Sequence, residues 1–99
     1  MANPSRQKGD RFEREVVNRA KEAGLDASRV PLSGAAGGEF SGDVILQGHK
    51  GECKTRKRFI GQFLSWLEGN HFLFVKEDRS ATLVVMRMET LLELLKGSW

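Results

Sequence analysis

Cys53 is the one cysteine in this 99-residue chain. No internal disulfide can form, and a reducing compartment is the simplest setting. Histidine is almost as scarce. His49 and His71 stand far apart, and no Cys/His cluster has the spacing of a zinc site. Both histidines read as surface or strand-end residues. No stretch approaches the roughly 20 apolar residues of a membrane span. The opening M-A-N-P-S-R-Q-K-G-D lacks the apolar run of a secretory signal. The expectation is a cytoplasmic protein with no membrane partner, in a bacterial, archaeal or phage-infected cell. There is no internal repeat and no linker. Ninety-nine residues are expected to form one domain with a small core, which leaves room for a homodimer that adds apolar burial.

The content that is present, 39% apolar and 29% charged, is that of an ordinary globular domain. Net charge is only +3, so its distribution carries more than its sum. Lys50, Lys54, Arg56, Lys57 and Arg58 crowd together against a single acid, Glu52. Arg6, Lys8, Arg11 and Arg14 form a second cluster near the N-terminus. Each cluster is either a solvated charged surface or a contact for a polyanion.

Residues 1–8 read as a loose arm. Asp10 to Ala23 reads as a helix stopped by Gly24, with Phe12, Val16, Val17, Ala20 and Ala23 at helical spacing. At about 100° per residue, Glu13 falls inside that apolar stripe, while Glu15 and Glu22 fall on the polar side. Two readings stand for Glu13. It is a core-facing carboxylate that needs a cation or donor, or the second half of a capping box begun by Asp10.

Ala27 to Leu32 fits a short strand ended by Pro31. Ser33 to Gly42, S-G-A-A-G-G-E-F-S-G, reads as a mobile glycine-rich loop. Asp43 to Gln47 and Gly51 to Thr55 then form a hairpin about Gly48-His49. With Gln47 opposite Lys50, Asp43 falls opposite Lys54 and Glu52 opposite Ile45. Alternation along each strand puts Asp43, Glu52 and Lys54 on one face. Two carboxylates and an ammonium gathered there suit an oxygen-liganded divalent cation beside a proton-handling or charge-stabilising lysine. A wet, charged hairpin face is the plainer alternative.

A second helix is expected over Phe59 to Glu68, with Phe59, Ile60, Phe63, Leu64 and Leu67 on one face and Trp66 at its edge as core or interface. Strands at His71 to Lys76 and Ala81 to Arg87 follow, then a helix over Met88 to Lys96.

This order resembles the α-β-β-β-α-β core of the PD-(D/E)xK nuclease superfamily. Lys8 to Val17, K-G-D-R-F-E-R-E-V-V, is similar to the K-G-x-x-x-E-R-E-L opening of archaeal-type Holliday junction resolvases. Arg29 followed by Ser33-Gly34 is similar to that family's arginine and serine-glycine loop. Asp43, Glu52 and Lys54 match its aspartate and E-x-K. The likeness covers about residues 8–60. Gly42 stands where the superfamily has proline, and the chain is short, which puts the C-terminal dimerising elements of archaeal members in doubt.

The resemblance implies an α/β, restriction-endonuclease-like core (αβββαβ) with a mixed central sheet flanked by helices. It implies a metal-dependent endonuclease acting on branched DNA as a homodimer in DNA recombination and repair. Mg²⁺ is the implied cofactor, with Mn²⁺ able to substitute. Asp43, Glu52 and the backbone carbonyl of Cys53 would hold the metal, and Glu13 would join directly or through water. Lys54 would act on the attacking water or on developing charge, and Ser33, or in its place Ser41, would touch the phosphate near the cut. Lys8, Arg11, Arg14, Arg29, Arg56, Lys57 and Arg58 would contact DNA phosphates. The alternatives are a nicking, flap or restriction-like endonuclease on the same fold, and a catalytically silent DNA-binding module.

Overall fold

The computed structural model describes residues 4–30 and 43–99 of the chain. Eight elements follow in the expected order. They are α1 (Pro4–Glu22), β1 (Ala27–Arg29), β2 (Asp43–Leu46), β3 (His49–Glu52), α2 (Gly61–Leu67), β4 (Leu73–Val75), β5 (Leu83–Val85) and α3 (Met88–Lys96). Tertiary contacts divide them into two compact units, Met1–Thr55 and Arg56–Trp99. The glycine-rich segment from Ser33 to Gly42 lies outside the described residues.

In the first unit, α1 begins at Pro4, earlier than expected. Residues 4–8, expected as a loose arm, are helical. Proline suits a first helical position because its missing N–H would have no partner there. The helix stops where the sequence indicates. Gly24 takes φ 85°, its N–H donates to Lys21 O, and the N–H of Leu25 reaches back to Ala20 O. Val17 and Ala20 are buried, as are Leu25, Ala27 and Val44. These residues form a small core where α1 packs on β1 and β2.

The three strands form an antiparallel sheet in the order β1-β2-β3. The hairpin turns at Gln47-Gly48, not at Gly48-His49, so Leu46 faces His49. Both turn residues have positive φ, 52° and 79°, as a tight two-residue hairpin requires. Glutamine is an unusual occupant there. It is held by the chain before β1: Gln47 N–H donates to Asp26 O at 2.8 Å, and Asp26 N–H donates to Gln47 Oε1 at 2.7 Å.

In the second unit, β4 and β5 pair antiparallel. Leu67 at the end of α2 is buried, and Arg87 donates to Leu67 O, which also accepts the Asn70 N–H, and to Asn70 O, so it ties the turn after the helix in place. The helix expected over Phe59 to Glu68 spans only Gly61–Leu67, so Phe59 and Ile60 precede it and are exposed, and on the helix itself Leu64 is exposed too. α3 ends on Gly97 at φ 77°, with Ser98 N–H bonded to Glu93 O. The described strand pairings are antiparallel within each unit, and the described residues form an α/β arrangement of two small antiparallel sheets and three helices.

Candidate active site

The shifted turn changes which residues meet but not which face they share. Asp43 opens β2 and pairs in register with Glu52, the last residue of β3, not with Lys54. A displacement of two residues keeps the parity of the strand, so the two acidic positions stay on one face. They now stand directly opposite each other. Like charges in that relation repel, so a cation between them is favourable. Lys54 lies just past β3, with Nζ 4.0 Å from Glu52 Oε1, a loose contact between two well-exposed side chains. Cys53, between them, is half-buried.

Glu13 lies on α1. It is 5% exposed, whereas Glu15 lies on the outer face of the helix. The capping box is not formed, because Asp10 lies well inside a helix that starts at Pro4. The inward reading of Glu13 therefore stands, and its cation is Arg29 of β1. Arg29 Nε donates to Glu13 Oε1 at 2.9 Å, and Nη2 donates to Asp10 Oδ1 at 3.2 Å. Arg29 pairs in register with Val44, the neighbour of Asp43. Arg29 therefore lies at the strand end where the two acidic positions meet, but on the face of Val44 that packs on α1, opposite the face that Asp43 and Glu52 share.

All of these residues fall within 4–59, the segment that matches a family model described as archaeal Holliday junction resolvase. The chain belongs to that family. No curated protein matches it, and neither does any solved structure. The matched segment of this resolvase-family chain includes every sequence-derived candidate residue.

The basic residues of the family segment are placed as follows. Lys8, Arg11 and Arg14 are exposed on α1, where Gln7, Asp10, Arg11 and Arg14 line a shallow groove. Arg56, Lys57 and Arg58 are exposed in the segment after β3. Arg29 stands apart, since two carboxylates already engage its guanidinium. Ser33 and Ser41 lie outside the described residues. No group of three or more His, Cys, Asp or Glu side chains is gathered for a metal ion among the described residues. Sequence reasoning missed the part played by Asp10. The signal was its spacing from Glu13, since residues three apart share a helix face. It became readable only once the helix was known to begin at Pro4.

Proposed function

We propose that this resolvase-family chain is a Mg²⁺-dependent endonuclease that makes paired cuts in four-way DNA junctions. Mn²⁺ would be able to substitute for Mg²⁺. On this reading the chain is one nuclease domain of the PD-(D/E)xK type, acting in the cytoplasm. The observation that carries the proposal is the register of β2 and β3, which sets Asp43 opposite Glu52 with Lys54 beside them, inside the family segment.

The donor set fits a hard divalent cation. Two carboxylate positions pair in register, the Cys53 carbonyl follows Glu52, and oxygen donors suit Mg²⁺. When bound, Mg²⁺ supplies Lewis-acid polarisation of the scissile phosphodiester and acidifies a water molecule. Asp43 and Glu52 would hold the cation, and Glu13 would join it directly or through water. Lys54 brings positive charge to where negative charge develops on the phosphorus oxygens. Arg11, Arg14, Arg56, Lys57 and Arg58 hold the sugar-phosphate backbone, a role that positions DNA without reading its bases.

Glu13→Gln is expected to lower the cleavage rate strongly and Glu15→Gln hardly at all, because only Glu13 points inward. Single-turnover kinetics on one junction substrate compares them. Normal cleavage by Glu13→Gln would remove Glu13 from the site.

The decisive experiment compares a synthetic four-way junction with linear duplex and flap DNA, with and without Mg²⁺. The basic residues bind any backbone, so affinity for duplex should fall with salt by a log–log slope of about 0.9 per neutralised phosphate. Such contacts carry little sequence information, so selectivity rests on the shape of the substrate. The junction is expected to bind more tightly at equal salt and to be cut symmetrically near its centre. Equal cleavage of junction and linear duplex would favour a less selective endonuclease. Binding without any Mg²⁺-dependent cleavage would favour a silent DNA-binding module.

Paired cuts in opposed strands need two active sites, which a two-fold homodimer provides. The second unit exposes apolar side chains that a partner would cover: Trp66, Phe74, Leu83 and Trp99 are each more than half exposed. Sedimentation at micromolar concentration should give twice the 11.1 kDa chain mass. A monomer that still makes paired cuts would contradict the dimer.

A further inference from the structure

Exposure alternates along β3 and past its end. Lys50, Glu52 and Lys54 are exposed, and Gly51, Cys53 and Thr55 between them are half-buried. Gly51 marks the half-buried side as the one toward α1. It pairs with Val44, a buried residue of the strand that packs on that helix, and a Cβ on Gly51 would lie 3.6 Å from Val44 Cγ2. Lys50 therefore lies on the opposite face, the one that the register gives to Asp43 and Glu52. It stands one strand step from Glu52, about 7 Å along β3, on the side of the hairpin turn. On the other side of Glu52 is Lys54, with Nζ 4.0 Å from Glu52 Oε1. The order along one exposed line is thus Lys50, the Asp43–Glu52 pair, Lys54.

We propose that the cleaved DNA strand runs along β3 and that Lys50 binds the phosphate next to the scissile one, on the side of the hairpin turn. This rests on the reading that Asp43 and Glu52 hold the cation at the cut. Neighbouring phosphates of one DNA strand are spaced much as alternate residues of a β-strand are. With the scissile phosphate at the acidic pair, the next phosphate comes to the level of Lys50. An ammonium there acts as a point charge, which holds a phosphate without reading the base. Lys50 in this way fixes which phosphate comes to rest at the acidic pair.

The test uses the whole chain and a synthetic four-way junction whose cut position is mapped first. A methylphosphonate, which carries no charge, replaces the phosphate next to the cut on one side in one junction and on the other side in a second. The half-saturating protein concentration is read from single-turnover cleavage with Mg²⁺. Lys50→Gln is expected to raise it about tenfold, the loss of one charge-assisted contact, and to lower its salt slope by about 0.9. Lys50→Arg keeps the charge and should stay near the unaltered chain. Lys21→Gln alters an exposed lysine of α1 outside the row and should change neither quantity. A methylphosphonate at one of the two positions should weaken the unaltered chain by a similar factor and Lys50→Gln no further. Normal half-saturation by Lys50→Gln would overturn the inference and leave the functional reading standing. So would an unaltered chain indifferent to both methylphosphonates. A lower melting temperature for Lys50→Gln, with both methylphosphonate penalties intact, would mean that Lys50 only offsets repulsion between the acids. If the unaltered chain does not cut the junction, the functional reading falls and this inference with it.

Discussion

Asp43→Asn and Glu52→Gln are each expected to abolish DNA cleavage while leaving the protein folded and still able to bind a junction. Both substitutions keep size and polarity and remove one negative charge. Loss of a cation that contributes several kcal/mol to the transition state lowers the rate by at least about 100-fold. The register adds a second expectation of opposite sign. Because the two positions face each other across β2 and β3, neutralising one relieves like-charge repulsion. Stability without cation should stay level or rise, by about 0.2–1 kcal/mol, the usual range for a cross-strand pair. Single-turnover cleavage and urea unfolding, each with and without Mg²⁺, report the two effects on one preparation. Full activity in either variant would remove that carboxylate from the mechanism. A large loss of stability in both would make the pair a structural feature of the hairpin.

Arg29→Ala is expected to destabilise the first unit by about 2 kcal/mol. Glu13 is 5% exposed, and without Arg29 its buried charge has no described cation beside it. Removing one partner of a fully buried pair costs about 3–5 kcal/mol. The smaller figure allows for solvent access to Arg29, whose side chain is 31% exposed. Glu13→Gln should cost less than Arg29→Ala, because Arg29 keeps Asp10 and water. The double variant Glu13→Gln with Arg29→Ala should be more stable than Arg29→Ala alone, with a coupling of about 1 kcal/mol. Urea unfolding of the four proteins closes that cycle. Zero coupling would mean that the 2.9 Å contact carries no net energy. The same variants separate two roles for Arg29. If its main task were to contact a DNA phosphate, Arg29→Ala would reduce the salt slope of junction binding by about 0.9. The ion-pair role leaves that slope unchanged.

Much of this was legible before folding. Valines and alanines at helical spacing marked the inner face of α1, and Glu13 interrupted that stripe. Gly24 marked where the helix ends, because a residue without Cβ takes positive φ at low cost. Asp43 and Glu52 were assigned to one face from alternation and an assumed pairing of Gln47 with Lys50. That assignment survived a wrong turn position because a shift of two residues returns every side chain to the face it left. These features are encoded in neighbouring residues and in the fixed periods of the backbone.

Other features needed distant parts of the chain. Sequence favoured a turn at Gly48-His49, yet the turn falls one residue earlier, because Asp26 bonds both the N–H and the side chain of Gln47 and offsets its positive φ. That bond spans 21 residues, and no local propensity encodes it. The capping box and the inward carboxylate were equally consistent with the spacing of Asp10 and Glu13. They separated when the helix proved to begin at Pro4, which puts Asp10 inside it, and when β1 packed on α1 and delivered Arg29 to both acids. The α2 face looked like a buried stripe by period, but the helix begins only at Gly61, after Phe59 and Ile60, and period does not state what Leu64 meets, which remains exposed. Repeating patterns along the backbone thus assigned helices, strands and faces. The partner of each charged group depended on which elements packed together, since burial of a carboxylate and the arrival of its cation are properties of two segments at once.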